Sequence, residues 1–391
     1  MKDLQPSLRV EFVESASLIC SELWETCFPS PLEGRWWYDT LERAGLSEQF
    51  TFFYAVIHER TRPVGIAPIF LMNLPLSVVA PDGLVPLVER LENLSPFLMR
   101  PRTLFVGSPC SDEGTVGLVP HVDRTAALQC VHRAIELKAQ QMRAAILVWK
   151  DFPSSYVEPL TKAPFQTGLF RVVSFPGTVL ALPHTKEAYL GSLSSSRRQH
   201  FKRMLRRGAE RIKVEAQCVQ HPDGETIDEI FGLFWQTYEH GKTKFEKLNR
   251  RFFELIAQQP VSYFILVRER TTQKMVAFML CFLLGKRVVN KFIGIDHALP
   301  KNYFLHALLW DAAVEWAMRV GATSIQSGQT GYATKILTGH QLVPLNNFCK
   351  HNNSVVNAIY RLVGQRIRWE TLDNDLHIII KAHSDIATHQ L

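Results

Sequence analysis

The sequence predicts an α/β (α+β) protein made of two tandem units, each a mixed β-sheet flanked by helices. Two observations predict this: a strand hairpin that occurs twice, and the same order of elements around each hairpin. We place the units at residues 1–175 and 176–391, because Phe175-Pro176-Gly177 and Pro183 interrupt the chain there. The alternative is one mixed domain with two unrelated hairpins.

The hairpins are the clearest internal repeat. Residues 52–71 read FFYAVIHERTRPVGIAPIFL, and residues 263–282 read YFILVRERTTQKMVAFMLCF. Each stretch is an apolar run, a short polar turn and a second apolar run, and Glu-Arg-Thr occurs in both turns. Two β-favouring runs joined by a short polar loop are typical of an antiparallel hairpin.

The elements around the hairpins follow the same order twice: helix, hairpin, strand, helix, strand. In the first half they are helix 35–44, strand 103–106, helix 125–142 and strand 145–149. In the second half they are helices 226–239 and 249–258, strand 288–295, helix 304–319 and strand 323–326. Apolar residues recur at helical spacing in 304–319, and Gly321 suits its C-terminal cap. A repeated order of elements favours two copies of one fold.

Composition excludes several classes of protein. The chain has 391 residues and is 46% hydrophobic, which is enough for one large or two medium cores. Its seven cysteines form no C-x-x-C pair and its histidines do not cluster, so we expect no metal site and no disulfide framework. No apolar stretch approaches the roughly 20 residues of a membrane span, and residues 1–18 lack a signal-like apolar region. We therefore expect a cytoplasmic protein.

The positive charge lies in the second half. Residues 1–175 contain 16 Lys and Arg against 19 Asp and Glu, whereas residues 176–391 contain 28 against 18. The two halves therefore carry net charges of −3 and +10. This favours an anionic partner for the second half: a phosphate-bearing co-substrate, a nucleotide-linked substrate or RNA. A basic surface without a specific partner is the alternative.

A strongly basic helix is predicted at residues 194–213, SSSRRQHFKRMLRRGAERIK. A serine at its start suits the N-cap, and apolar residues recur at helical spacing along one side. Guanidinium groups bind phosphate in a bidentate manner. We predict that Arg197, Arg198 and Lys202 bind an anionic substrate; a solvated helix face is the alternative.

The segment at 327–339, SGQTGYATKILTG, follows the last predicted strand of the second half. Loops at the carboxyl ends of strands are where α/β sheets place ligands. A lysine there, Lys335, can stabilise an oxyanion as a fixed charge, and Tyr332 can pass a proton. Gln329 and Asn290 are predicted to bind substrate. Asp296, which ends strand 288–295, either handles a proton or caps the next turn.

Two of these motifs resemble a known family. The rhythm S-x-x-R-R-x-x-x-[KR]-x-x-x-R-R at 194–207, and T-G-Y-A-T-K-I-L-T-G at 330–339 followed by V-P-L, resemble FemABX-like proteins of the GNAT (general N-acetyltransferase) superfamily. The resemblance implies twin GNAT units and transfer of an acyl or aminoacyl group to an amine. In FemABX enzymes the donor is an aminoacyl-tRNA and the acceptor a cell-wall precursor. It also implies that Lys335 lies beside the reacting carbonyl.

One departure from the family bears on the donor. GNAT enzymes hold the coenzyme A pyrophosphate with a [RQ]-x-x-G-x-[GA] loop, whereas residues 296–305 read DHALPKNYFL and contain no glycine. We therefore predict no tightly bound cofactor, and favour an aminoacyl-tRNA donor over acyl-CoA or an acyl carrier protein. The acceptor would be a small-molecule or peptide amine. The N-terminal unit would be structural or bind the acceptor. The alternative is a non-catalytic RNA-binding or scaffold protein on a decayed GNAT fold.

Overall fold

The computed structural model describes residues 8–76, 85–94, 99–161, 168–241 and 245–388. Within these ranges the strands form two sheets. The first sheet has the order β1-β2-β3-β4-β6-β15-β7, with β5 paired to β3, and the second has the order β14-β8-β13-β12-β11-β10-β9. The strands are β1 (Leu8–Val13), β2 (Thr51–Glu59), β3 (Arg62–Asn73), β4 (Arg102–Val106), β5 (Gly117–Leu118), β6 (Ile146–Pro153), β7 (Phe170–Val173), β8 (Gly177–Ala181), β9 (Val214–Val219), β10 (Ser262–Glu269), β11 (Met275–Leu284), β12 (Arg287–Ile295), β13 (Ser324–Ser327), β14 (Gln341–Val343) and β15 (Leu345–His351).

The helices flank both sheets. They are α1 (Ser21–Cys27), α2 (Arg35–Arg43), α3 (Val85–Leu94), α4 (Arg124–Gln141), α5 (Val157–Thr161), α6 (Lys186–Ser192), α7 (Ser195–Arg211), α8 (Gly224–His240), α9 (Arg250–Ala257), α10 (Leu305–Arg319), α11 (Tyr332–Leu337), α12 (Ser354–Gly364), α13 (Trp369–Leu372) and α14 (Asn374–Thr388). Short 3-10 turns lie at Ala16–Leu18, Ser154–Tyr156 and Lys301–Tyr303. No described helix is long and apolar enough to cross a membrane.

Both predicted hairpins are present. Strands β2 and β3 pair antiparallel from Thr51 opposite Leu71, and β10 and β11 pair antiparallel from Ser262 opposite Phe282. Their apolar runs are buried almost throughout, because each hairpin lies inside its sheet with helices on the faces. The predicted α/β fold of two mixed sheets flanked by helices is confirmed.

The first sheet contains a strand from beyond the predicted boundary. Strand β15, from the C-terminal half, pairs antiparallel with both β6 and β7 and so completes the first sheet. Strand β8 pairs with β13 and β14 in the second sheet. The division at residues 175 and 176 stays a prediction, and the chain returns to the first sheet after that point.

The second sheet opens where its two parallel strands separate. Strands β12 and β13 pair in parallel from Arg287 opposite Ser324 to Asn290 opposite Ser327. There β13 ends, whereas β12 continues to Ile295 along β11. Polar groups placed beside such an opening, at the carboxyl end of a strand, are well positioned to meet a ligand.

Candidate active site

A short helical turn places Lys335 at this opening. Helix α11 is bracketed by Gly331 and Gly339, whose φ angles of 68° and 95° lie in the left-handed region that favours glycine. The Nζ atom of Lys335 donates a hydrogen bond of 2.5 Å to the carbonyl oxygen of Gly328, one residue beyond β13. The ammonium is therefore held at the strand end.

The environment of Lys335 lowers the pKa of its ammonium to about 8. Burial is the cause, and the nearby carboxylate of Asp112 partly offsets it. A lysine with this pKa is mostly positive at pH 7 and mostly neutral at pH 9. Its charge therefore changes within a range that enzyme assays can reach.

Hydrogen bonds from polar side chains fix the turn that carries Lys335. The Nδ1 atom of His340 lies 3.0 Å from the carbonyl oxygen of Lys335, and its Nε2 atom lies 3.2 Å from the hydroxyl of Ser327. Because a carbonyl only accepts, Nδ1 carries the proton and Nε2 accepts from Ser327. Burial and the charge of Lys335 lower the pKa of His340 to about 3, so its ring is neutral. Asn290 donates to the same hydroxyl over 3.4 Å.

His306 adds a second imidazole near Lys335. Burial, followed by the charge of Lys335, lowers the pKa of His306. Its Nδ1 atom is buried and has no hydrogen-bond partner within the described part of the chain. A buried nitrogen without a partner marks a place where a polar group of a ligand can bind.

The first unit contributes charge to this opening through Glu33 and Asp112. Lys291 on β12 is 1% exposed, donates to Glu33 over 2.6 Å, and lies 3.8 Å from Asp112. Burial alone would lower the pKa of Lys291, but the two carboxylates raise it well above its usual range. A Cβ on Gly328 would lie 3.3 Å from Asp112 Oδ1, which places this carboxylate against the Lys335 turn.

Asp112 is incompletely paired. Its Oδ2 atom is buried and makes no hydrogen bond to the residues that the structure describes. A buried carboxylate oxygen that lacks a donor is costly unless a ligand or water supplies one. The oxygen therefore suits a group that brings its own N–H or O–H.

Two adjoining cavities lie where the first unit meets the second sheet. One, of about 30 Å³, is lined by Glu33, Asp112, Glu113 and Arg287. The other, of about 430 Å³, lies between helices α1 and α2 and the turn after β11. They share lining residues, namely Phe28, Leu32 and Leu284. Burial raises the pKa of Glu113, and the Arg287 charge opposes this effect. The smaller cavity is thus an acidic space beside an apolar one.

The sequence predicts that Tyr332 and Asp296 handle protons, but neither side chain lies where it could do so at this opening. The Tyr332 side chain is fully buried, its hydroxyl donates to the Pro176 carbonyl, and burial raises its pKa. Asp296 accepts from the Ala298 N–H and pairs with Lys274, which matches the capping alternative. It also lies six residues beyond Asn290 on an extended chain, so roughly 20 Å from Ser327 along the strand.

The predicted anion-binding residues lie on and beside α7. Ser194 caps this helix, and Leu193 packs against Gly339, so the start of the helix lies beside the Lys335 turn. Lys202 is exposed, and Arg197 and Arg198 are partly exposed. Among the apolar residues that recur along this helix, Phe201 is buried but Ala209 is exposed, and Gly208 makes the close contact with Tyr303. Gln329 donates to the Phe175 carbonyl and braces the loop.

The positions of Glu33, Asp112 and Lys291 beside this opening were not predicted from the sequence. A lysine inside the apolar run of β12 was the available signal, since a buried lysine requires an anionic partner. That partner could not be chosen from the sequence, because it lies 258 positions away. His340 was missed as well, and its spacing of five residues from Lys335 follows no regular helical pattern.

Comparison with known proteins agrees with this arrangement. Residues 183–366, slightly less than half of the chain, match the FemAB-like family, described as peptidoglycan biosynthesis/recognition. FemX has 11% identity and a TM-score of 0.55, covering 90% of this chain and 100% of its own. L-PGS from Bacillus licheniformis has 12% identity and a TM-score of 0.52, covering 84% and 92%. No curated protein sequence matches the chain significantly.

A tandem GNAT protein from the clavulanic acid biosynthesis pathway is also similar, with 13% identity and a TM-score of 0.50. It covers 88% of this chain and 99% of its own. Structural likeness at these identities shows the fold, and the family match adds the FemAB-like pattern in the second unit. Together they confirm the predicted resemblance and the predicted class, acyltransferase.

Proposed function

We propose that this chain, whose second half matches the FemAB-like family, is an N-acyltransferase acting at the opening between β12 and β13. It moves an activated acyl or aminoacyl group to an amine. The observation that carries the proposal is Lys335, an ammonium with a pKa of about 8 held at the end of β13. A positive charge held in place before the reaction stabilises a developing oxyanion effectively.

The chemistry requires few groups. The acceptor nitrogen attacks the acyl carbonyl carbon, and the carbonyl oxygen becomes an oxyanion beside Lys335. Asp112 Oδ2 accepts a proton from the attacking nitrogen, since it is buried beside the turn without a donor. The intermediate then collapses, the bond to the leaving oxygen or sulfur breaks, and that atom takes up the proton that Asp112 accepted. Most of the rate enhancement comes from positioning and charge.

The donor enters from the side of α7. Several cations of this helix are exposed, and its first turn lies beside the Lys335 turn. A polyanion would bind there with a marked dependence on salt. An aminoacyl-tRNA is the favoured donor, because residues 296–305 lack the glycine loop for coenzyme A. Acyl-CoA and an acylated carrier protein are the other donors to be tested. On this proposal the enzyme acts in the cytoplasm.

The acceptor amine enters from the opposite side, through the two adjoining cavities. The larger one has room for part of a small molecule or peptide, and the smaller one brings an amine to Asp112 and Glu113. Carboxylates in this position favour a cationic or hydrogen-bond-donating acceptor. The first unit thereby supplies the acceptor side of one shared site.

Separate titrations of labelled tRNA, coenzyme A and an acyl carrier protein test the donor. We expect tRNA to bind in a salt-dependent manner, and Arg197→Gln/Lys202→Gln to weaken it by roughly tenfold. Arg251→Gln, which removes an exposed arginine of α9, is the matched control. Tight coenzyme A binding without salt-dependent tRNA binding would reverse the donor preference. If tRNA binds but no acyl group is transferred to any amine tested, the chain is the RNA-binding protein of the alternative.

A further inference from the structure

Helix α12 presents an apolar face to solvent. Four of its side chains are about half exposed or more: Val355 67%, Ile359 53%, Leu362 57% and Val363 49%. Their spacing places them on one side of the helix. Apolar side chains that lie together on a surface mark an interaction site more often than scattered ones do.

The opposite side of α12 is firmly packed. Asn357 is buried, and its side chain accepts from the His351 N–H and donates to the Gly168 carbonyl. A Cβ on Gly364 would lie 2.8 Å from the side chain of Val172 on β7, so helix and sheet are in close contact. The exposed face is thus fixed in orientation, and the described residues of the chain leave it about half exposed or more.

The charged residues of the chain segment that contains α12 are of one sign. Between Asn352 and Arg368 the chain has three arginines and no acidic residue. Arg361, Arg366 and Arg368 are all exposed. Apolar side chains on one side of a helix with arginines beside them are typical of helices that lie on anionic membranes. A two-fold contact with a second copy would bring the same arginines together, which is unfavourable.

We propose that α12 docks on the surface of an anionic lipid bilayer. The helix lies in the interface, with Ile359 and Leu362 inserted among the acyl chains and the arginines against lipid phosphates. It does not span the bilayer. This inference goes beyond the proposed function and does not depend on it, because docking is measured without turnover.

The docking surface is connected to the Lys335 turn. After α12 the chain continues through α13 and α14, and Asp375 at the start of α14 accepts from the Ala333 N–H on α11. Trp369, between the two, donates to the Ser174 carbonyl. The segment from α12 to α14 is therefore bonded both to α11 and to the chain at Ser174. Docking of α12 would hold the opening between β12 and β13 in a fixed position relative to the membrane.

Co-sedimentation with lipid vesicles tests the proposal. We expect the full chain to bind phosphatidylcholine vesicles that contain phosphatidylglycerol, more weakly as salt rises, and to bind pure phosphatidylcholine vesicles at least tenfold more weakly. Ile359→Asp/Leu362→Asp should abolish binding. The matched control is Leu137→Asp, since Leu137 is 61% exposed on α4 and should be dispensable.

A second variant protects the test against misfolding. Arg366→Gln/Arg368→Gln leaves the apolar face intact and should lower binding to anionic vesicles by on the order of tenfold. The proposal is overturned if the wild type does not bind anionic vesicles, or if the folded Asp variant binds as the wild type does. It is also overturned if light scattering shows a dimer that the Asp variant abolishes while vesicles are not bound, because α12 would then contact a second copy.

Discussion

The two units differ most where their parallel strands separate. In the first unit, β4 and β6 pair from Thr103 opposite Ile146 to Val106 opposite Trp149, and β6 then continues to Pro153 paired only with β15. The chain at 107–118 fills the space beside it. Gly114 donates to the Asp151 carbonyl, and a Cβ on Gly114 would lie 2.2 Å from the Lys150 carbonyl oxygen. The first opening is therefore closed by the protein's own backbone.

In the second unit the same position carries polar groups. The strand end leads into the turn that holds Lys335, with His340 and Ser327 behind it. The loop that closes the first opening also brings Asp112 to the second one. The first opening is thus filled by its own loop, whereas the second is surrounded by polar side chains that include a carboxylate from the first unit.

Lys335→Ala tests the proposed chemical role of the second opening and should have the largest effect of the substitutions considered. We expect the rate of acyl transfer to fall by about 10²- to 10³-fold, because a fixed charge near the oxyanion is lost. Stability should change little, since burial of the ammonium is itself unfavourable. Single-turnover rates and thermal melts measure both. Lys301→Ala, an exposed lysine in the same unit, is the control, and an equal loss of rate there would refute the assignment.

Lys291→Met tests how the units are joined. The substitution leaves Glu33 and Asp112 facing each other without their cation, so we expect a loss of about 3 kcal/mol or more in the free energy of unfolding. Lys286→Met, in the exposed turn before β12, should change it by less than about 0.5 kcal/mol. Urea unfolding measures both. Equal stabilities would mean that the Lys291 pair does not contribute to holding the units together.

Gly114→Ala and Gly328→Ala compare the closed opening with the open one. A methyl at Gly114 meets backbone and the Phe152 ring, so we expect a loss of about 1–3 kcal/mol. At Gly328 the nearest atom is the Asp112 carboxylate at 3.3 Å, and we expect a loss below about 1 kcal/mol. Urea titrations of the two variants measure both losses in the free energy of unfolding. A larger loss for Gly328→Ala than for Gly114→Ala would show that the second opening is the more tightly packed.

Asp112→Asn should have a smaller effect than loss of Lys335. We expect about a tenfold fall in the rate at saturating substrates, because the proton acceptor is weakened while the oxyanion charge stays. The side chain keeps its size, so the fold should be retained. Glu48→Gln, an exposed change in the first unit, is the control. A wild-type rate in Asp112→Asn would leave the first unit without a chemical role.

The sequence predicts the local elements well and the long-range pairings poorly. Both hairpins and the helices around them follow from apolar periodicity, which is a local property. The return of β15 to the first sheet has no local signature, and neither does the Glu33–Lys291 pair. Asp296 was predicted near the site because it ends β12, but that strand extends well past Asn290, where β13 stops.

The pH dependence of the ratio between wild-type and Lys335→Ala single-turnover rates tests the central claim most directly. Titration of the free acceptor amine affects both proteins equally and cancels in the ratio. With a pKa of about 8 in the wild type, Lys335 is charged below pH 8 and neutral above it. We predict a ratio that is high and constant below about pH 7 and falls roughly tenfold per pH unit above pH 8. A ratio that rises through pH 8 would make Lys335 a base, and a ratio near one would remove it from the mechanism.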